Sequence, residues 1–311
     1  MGKPLIALNA SVLVVALERV PAAIGFYPGN PNELKRVISE CFTDRHGPGE
    51  TPKVNSEGPR IIVGCVAPHA GYYYSGPVAA HLYKALAEDG RPECFVMLGP
   101  SHMGYPGASI MKEGVWALPF GRATIDSELA AAILKHASII LDEPRAHARE
   151  HSLEVQLPFL QYLYGEVKFV PIVFGPTDYE TCREVGEGVA EAAMELGRDV
   201  LVLGSTDMTH YGPMYGYAPA GTGPIEKVIS WIHEVDGKMI SKIEGLDPAG
   251  LYQLVHDEGF TMCGVNAVAS MMVAAKNLGA RRVSTLKYAT SYEIRGGRDA
   301  IVGYLASILT K

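Results

Sequence analysis

The sequence predicts an α/β fold: one large domain in which a mostly parallel central sheet carries helices on both faces. Three observations predict it. Short apolar runs rich in Val, Ile and Phe alternate with longer stretches of helical periodicity along the 311 residues. The runs end in Gly, Pro or Ser, as buried strands do where they leave a sheet. No repeat, low-complexity tract or shift in composition divides the chain in two.

The chain opens with PLIALNASVLVVAL inside residues 1–19, an apolar stretch behind one lysine. It is shorter than the ~20 residues a membrane-spanning helix needs. It resembles the apolar core of a signal peptide, but the charged pair Glu18 and Arg19 follows it where a small-residue cleavage site would stand. It reads as an N-terminal extension, with the domain at 20–311. Strands follow at 61–68 (IIVGCVAP), 94–100 (CFVMLGP), 167–175 (VKFVPIVFG) and 200–206 (VLVLGST), with two more at 281–291 and 300–309. Helical patterns occupy 127–137, 181–197, 224–245 and 267–279. Two Gly- and Pro-rich stretches, 46–59 and 212–224, read as surface loops.

Composition narrows the function. The net charge is -7 with no basic block, which argues against a nucleic-acid surface built on clustered Lys and Arg. The five cysteines are scattered and form no CxxC pair, which argues against a disulfide framework or a zinc knuckle and fits a reducing, cytoplasmic setting. No membrane association is expected.

Open sheets of this class bind ligands beyond the carboxyl ends of their strands, and polar residues collect there. His69 follows the first strand, in APHAGYYYSG, where Gly71 suits a tight turn and Tyr72 with its neighbours could wall a pocket. His102 follows the second, after Gly99-Pro100-Ser101. Asp207 and His210 follow the fourth, in GSTDMTHYG; if the chain enters a helix there, their spacing puts both on one side and Ser205 or Thr206 caps it. His147, His151 and Glu154 lie in HAREHSLEVQLPF, at helical spacing but without the HExxH order of a zincin. Cys263 stands before an apolar helix, a placement that favours thiolate. Each of these can be read as a ligand, an acid or base, or a strand-end polar residue satisfied by backbone. The other five histidines lie in a loop or in helical patterns and read as surface.

The motifs FYPGNPNEL (26–34), APHAGYYYSG (67–76), LGPSHMG (98–104), EHSLEVQLPF (150–159), GSTDMTHYG (204–212) and MCGVNAV (262–268), in this order, resemble the Memo family from about Val20 onward. The resemblance implies a single α/β domain similar to the LigB-type class III extradiol dioxygenases, which bind non-haem iron. It implies His69, His102 and Cys263 as metal ligands, Asp207 and His210 as pocket residues with His210 an acid or base, and Tyr72, His151, Glu154 and Ser101 as pocket neighbours. The sequence departs from the family at Met103, where many relatives carry a second histidine, at Gly264-Val265-Asn266-Ala267, where a proline is common, and at Gln156, which is histidine in the animal proteins.

Two imidazoles and a thiolate suit Fe(II) or Cu, with Zn possible. Three protein ligands leave positions open, as catalytic sites do. A cysteine beside an oxygen-activating metal is itself oxidisable, which argues against extradiol ring cleavage. Two functions follow. One is a metal-dependent redox enzyme acting on a small molecule; the resemblance links it to radical-SAM and AMMECR-type proteins, beside which prokaryotic relatives are often encoded. The other is a non-catalytic protein that buffers metal or binds a peptide, as animal relatives described as signalling adaptors do.

Overall fold

The apolar runs come together as the centre of one mixed sheet. The structure is a computed structural model, and it describes residues 17–311. Most of the apolar extension lies outside the described residues. Its last residues do not: Glu18–Arg19 form a short strand, β1, and Arg19 is buried. The boundary expected after Arg19 therefore falls inside the fold.

The remaining strands are β2 (Ile62–Ala67), β3 (Cys94–Pro100), β4 (Ala108–Ile110), β5 (Val115–Leu118), β6 (Gly121–Ile125), β7 (Leu141–Asp142), β8 (Val167–Phe174), β9 (Val200–Ser205), β10 (His210–Tyr211), β11 (Arg282–Thr290) and β12 (Ile301–Thr310). Their order across the sheet is β1-β5-β6-β8-β3-β9-β2-β12-β10, with β4, β7 and β11 pairing off this path. The stretch from β6 to β2 is parallel throughout. At one side β12 runs antiparallel to β2, β10 and β11. The strands carrying His69 and His102 are not neighbours in the sheet. β9, which leads to Asp207, lies between them.

Side chains alternate across the strands and feed two cores, as period two requires. Phe95 and Met97 of β3 and Leu201 and Leu203 of β9 pack toward helices α1 (Pro31–Thr43), α2 (Tyr72–Asp89) and α4 (Leu157–Tyr164). Val96, Leu98, Val200 and Val202 pack toward α3 (Ser127–His136), α5 (Tyr179–Glu195), α6 (Ile225–Glu244), α7 (Pro248–Glu258) and α8 (Val265–Asn277). A last short helix, α9 (Ser291–Arg295), joins β11 to β12. Gly64 lets α8 lie close to the sheet, since a Cβ there would sit 2.8 Å from that of Ala275. Among the described residues no helix is long and apolar enough to cross a membrane.

α2 is absent from the helical patterns read in the sequence. It begins at Tyr72 and contains Pro77, which has no N–H to give the carbonyl of Tyr73. Arg295 supplies the missing donor, its Nε 2.6 Å from that oxygen, while its Nη2 pairs with Asp44. Gly71, read as suited to a tight turn, has φ −57°, which is open to any residue, so its conformational freedom is not used there.

The helix conditionally expected at Asp207 and His210 does not form. The backbone there is taken by distant partners: Met208 N donates to Gly303 O, Gly303 N to Thr209 O, and Thr209 N to the Asp236 carboxylate. Residues 147–154 are not a continuous helix either. They run between two 3-10 turns, Pro144–Ala146 and Glu154–Gln156.

Candidate metal centre

Three strand ends and one loop deliver the site. β2 ends at Ala67, and Pro68 then turns the chain so that His69 lies beneath the sheet's carboxyl edge, 2% exposed. Its backbone N–H donates to Asp207 Oδ1 at 2.9 Å, which ties the end of β2 to that of β9. Its Nδ1 lies 3.0 Å from Ser205 Oγ and its Nε2 3.3 Å from Cys263 Sγ.

His102 follows β3. Its N–H and its Nδ1 both reach the carboxylate of Glu150, at 2.5 and 2.9 Å. A carboxylate only accepts, so Nδ1 carries a proton, and in the neutral ring Nε2 keeps its lone pair. Glu150 also accepts from the backbone N–H groups of His151 and Ser152. Burial raises the pKa of this carboxyl, but the His102 hydrogen bond and charge and the backbone donors outweigh it and hold the group at about 2. His151 leans on Glu150 from the other side, Nδ1 to Oε1 3.4 Å, and stacks on Phe26 with ring centroids 4.3 Å apart.

These elements bring His69, His102 and His151 together. One nitrogen of each lies within 4.8 Å of one from each of the others, and the three could hold a metal ion. Ring centroids are 4.5 to 5.5 Å apart. Burial, then the neighbouring imidazoles, push His69 well below the ordinary histidine value, and burial with His102 pushes His151 down to about 4. Neutral imidazole is the form that binds metal. The carboxylate behind His102 is the support that metal-bound histidines commonly have.

Asp207 and His210 border the same cleft, about 580 Å³ in volume, with Phe26, Tyr74, Tyr215 and Tyr304 among its walls. Burial raises the Asp207 carboxyl, against the opposing charge of His210 and the backbone donors of His69 and Ala70. The His210 Nδ1 lies 3.1 and 3.0 Å from the carbonyls of Met208 and Thr261. Carbonyls only accept, so this Nδ1 also carries a proton, and the neutral ring leaves Nε2 with its lone pair.

The other expected residues fall elsewhere. Cys263 touches His69 but completes no three-ligand group with the histidines at the spacing that joins the triad. It accepts from Asp207 N at 3.3 Å, and burial pushes its thiol up, opposite to the thiolate bias expected from the helix behind it. Tyr72 is buried, donates to Val155 O, and borders a separate cleft; Tyr74 is the tyrosine of this motif that lines the site. Ser101 buries its hydroxyl beneath the edge with no hydrogen-bond partner and is not among the cleft walls. Glu154 is fully buried behind the site, where it accepts from Arg19, the N–H groups of Ala22 and Ala23, and the Tyr27 hydroxyl. His147 is buried as well, with neither ring nitrogen hydrogen-bonded. Sequence reasoning passed over Glu150 and Phe26, and read Ser205 only as a possible cap of a helix that does not form. The signal for Glu150 was present in the acid next to His151.

The comparisons agree with the architecture. A sequence model of the family described as Memo-like protein matches residues 19–308. The chain belongs to the Memo family. A MEMO1 family protein of Methanopyrus kandleri is 45% identical over 298 residues, covering 95% of this chain and 100% of that protein. One from Methanothermobacter thermautotrophicus is 41% identical over 92% of this chain and 98% of its own. Another from Pyrococcus furiosus is 39% identical over 95% and 99%. The single α/β domain with its large, mostly parallel sheet agrees with the LigB-like fold of the Memo family.

Proposed function

We propose that this Memo protein is a metal-dependent redox protein whose ion is held by His69, His102 and His151. The observation that carries the reading is three crowded imidazoles that open on a cleft. Imidazole donors suit Fe(II), Cu and Zn, and a three-ligand set leaves room for a small molecule or the polar end of a peptide. Bound Fe or Cu would supply one-electron chemistry. The chain's own groups do the rest. His210 presents an Nε2 lone pair that can take a proton from a bound molecule. Asp207 holds the His69 backbone through one oxygen and borders the cleft beside His210. Phe26, Tyr74 and Tyr304 wall the cleft. Cys263, in contact with His69, is the donor that could join the set if its thiol is ionised by an ion.

The test is metal content after anaerobic purification, in the wild type and in His69→Ala, His151→Ala and Cys263→Ala. The proposal expects Fe, Cu or Zn near one equivalent, lost in both histidine variants. Retention of metal in both would sink the triad. Metal lost in Cys263→Ala but kept in His151→Ala would replace the triad with His69, His102 and Cys263. Metal binding with no consumption of oxygen or peroxide, whatever small molecule is offered, would favour the non-catalytic, metal-buffering reading.

A further inference from the structure

We infer that Ser205 is a positioning residue that fixes the tautomer of His69, with Gln156 holding Ser205 in place. The inference rests on the proposed metal-binding reading only for the purpose of the tautomer, since the tautomer itself follows from donors and acceptors already present.

Four groups meet in a space closed to solvent. Tyr83, Ser152 and Ser205 are fully buried and Gln156 is 1% exposed. The Gln156 amide nitrogen lies 3.0 Å from Pro68 O and 2.9 Å from Ser205 Oγ, and its oxygen accepts from the Tyr83 hydroxyl at 2.5 Å. The carbonyl of Pro68 can only accept, so the atom facing it is the NH₂ and the amide has one orientation. One N–H goes to Pro68 and the other to Ser205.

Ser205 Oγ has three polar neighbours: Gln156 Nε2, Ser152 O at 2.7 Å and His69 Nδ1 at 3.0 Å. A hydroxyl has one proton and two lone pairs. Gln156 fills one lone pair. Ser152 O is a carbonyl that needs a donor, and pointing the proton elsewhere would set two buried oxygens against each other at 2.7 Å. The proton therefore goes to Ser152, and the second lone pair is left for His69. Its Nδ1 must donate, so Nε2 is the bare nitrogen.

This outcome opposes the ordinary preference of a free neutral imidazole side chain, which places the proton on Nε2. The ring is set with its lone pair outward before any ion arrives, and no tautomer exchange is needed on binding. His102 reaches the same state through Glu150 and His210 through two carbonyls. Ser205 does for the most buried of these rings what a carboxylate does for His102, without adding a charge. Gln156 bars the alternative in which Ser205 takes a third orientation.

The experiment is the nitrogen-15 spectrum of the imidazoles in the metal-free full chain at pH 8, assigned through His69→Gln. Wild-type His69 is expected to show a protonated Nδ1 and a bare Nε2. Ser205→Ala is expected to return most of the signal to the Nε2-protonated form, and Ser205→Thr, which restores the hydroxyl, to bring it back. Zinc affinity, measured by competition with a chelator, is expected to fall roughly tenfold in Ser205→Ala and to recover in Ser205→Thr. A wild-type His69 that carries its proton on Nε2 overturns the inference without any variant having to fold. A bare Nε2 in a chain that binds no metal leaves the inference standing and sinks the functional reading instead.

Discussion

Glu150 and Glu154 stand four residues apart in one short stretch, are both buried, and serve opposite sides of it. Glu150 lies behind the cleft and holds His102 and His151. Glu154 faces away and clasps the incoming N-terminal segment through Arg19, Ala22, Ala23 and Tyr27. Residues 150–154 are not a continuous helix, so spacing in sequence does not place them on one face. Two identical carboxylates thus differ only in the donors around them. A buried acid is read from what it accepts, and those donors come from distant parts of the chain.

The largest way to break the comparison is at the clasp. Glu154→Ala leaves the Arg19 guanidinium buried without its partner, and removing one member of a buried pair costs about 3–5 kcal/mol. Denaturant unfolding should show a loss of that size. His147 belongs to the same side, since its carbonyl accepts from Arg19 Nε. Burial, with the charge of Arg19, pushes its ring down to about 3 from an ordinary 6.5. A base with a depressed folded value excludes a proton that the unfolded chain takes up. Its contribution is therefore complete above pH ~6.5 and declines by about 1.4 kcal/mol per unit as pH falls toward 3. His147→Leu should flatten that acid limb, and urea midpoints between pH 7 and 4.5 check it. If the limb keeps its slope, His147 is not the group responsible.

At the site side, Glu150→Gln should weaken zinc binding by roughly 10–100-fold while costing less stability than Glu154→Ala. The reverse ranking of the two variants would dissolve the distinction between clasp and site. The smallest effect links the two. Phe26→Ala removes the ring stacked on His151, at a cost of about 1 kcal/mol by thermal denaturation. A modest drop in metal affinity should accompany it, because Phe26 is carried by the segment that Glu154 clasps.

Much of the fold was legible because apolar runs with Gly or Pro at their ends have few other ways to fold: β2, β3, β8 and β9 lie where the sequence put them. The short strands β4 to β7 were not, since two to five residues carry too little pattern. α2 was hidden by Gly76 and Pro77, whose cost is met by an arginine more than two hundred residues away. His69, His102 and His151 could be singled out as candidates by their places after strands or in a polar run. That His151 faces the other two could not be read, because the path from 147 to 154 is set by Glu150 accepting four donors. Tyr72 was misplaced for a related reason: a helix beginning at that residue turns its ring inward and Tyr74 toward the cleft.

β2 carries His69, and its two partners in the sheet are β9 and β12. Both arrive late in synthesis. A nascent chain that has reached the end of α5 already contains His69, His102 and His151, yet lacks Ser205 and Asp207, which hold His69, and the strand that covers the far edge of β2. All three imidazoles leave the ribosome well before the scaffold that aims them. The triad can therefore be aimed only once translation is nearly finished, and a truncated product has the three imidazoles without the site.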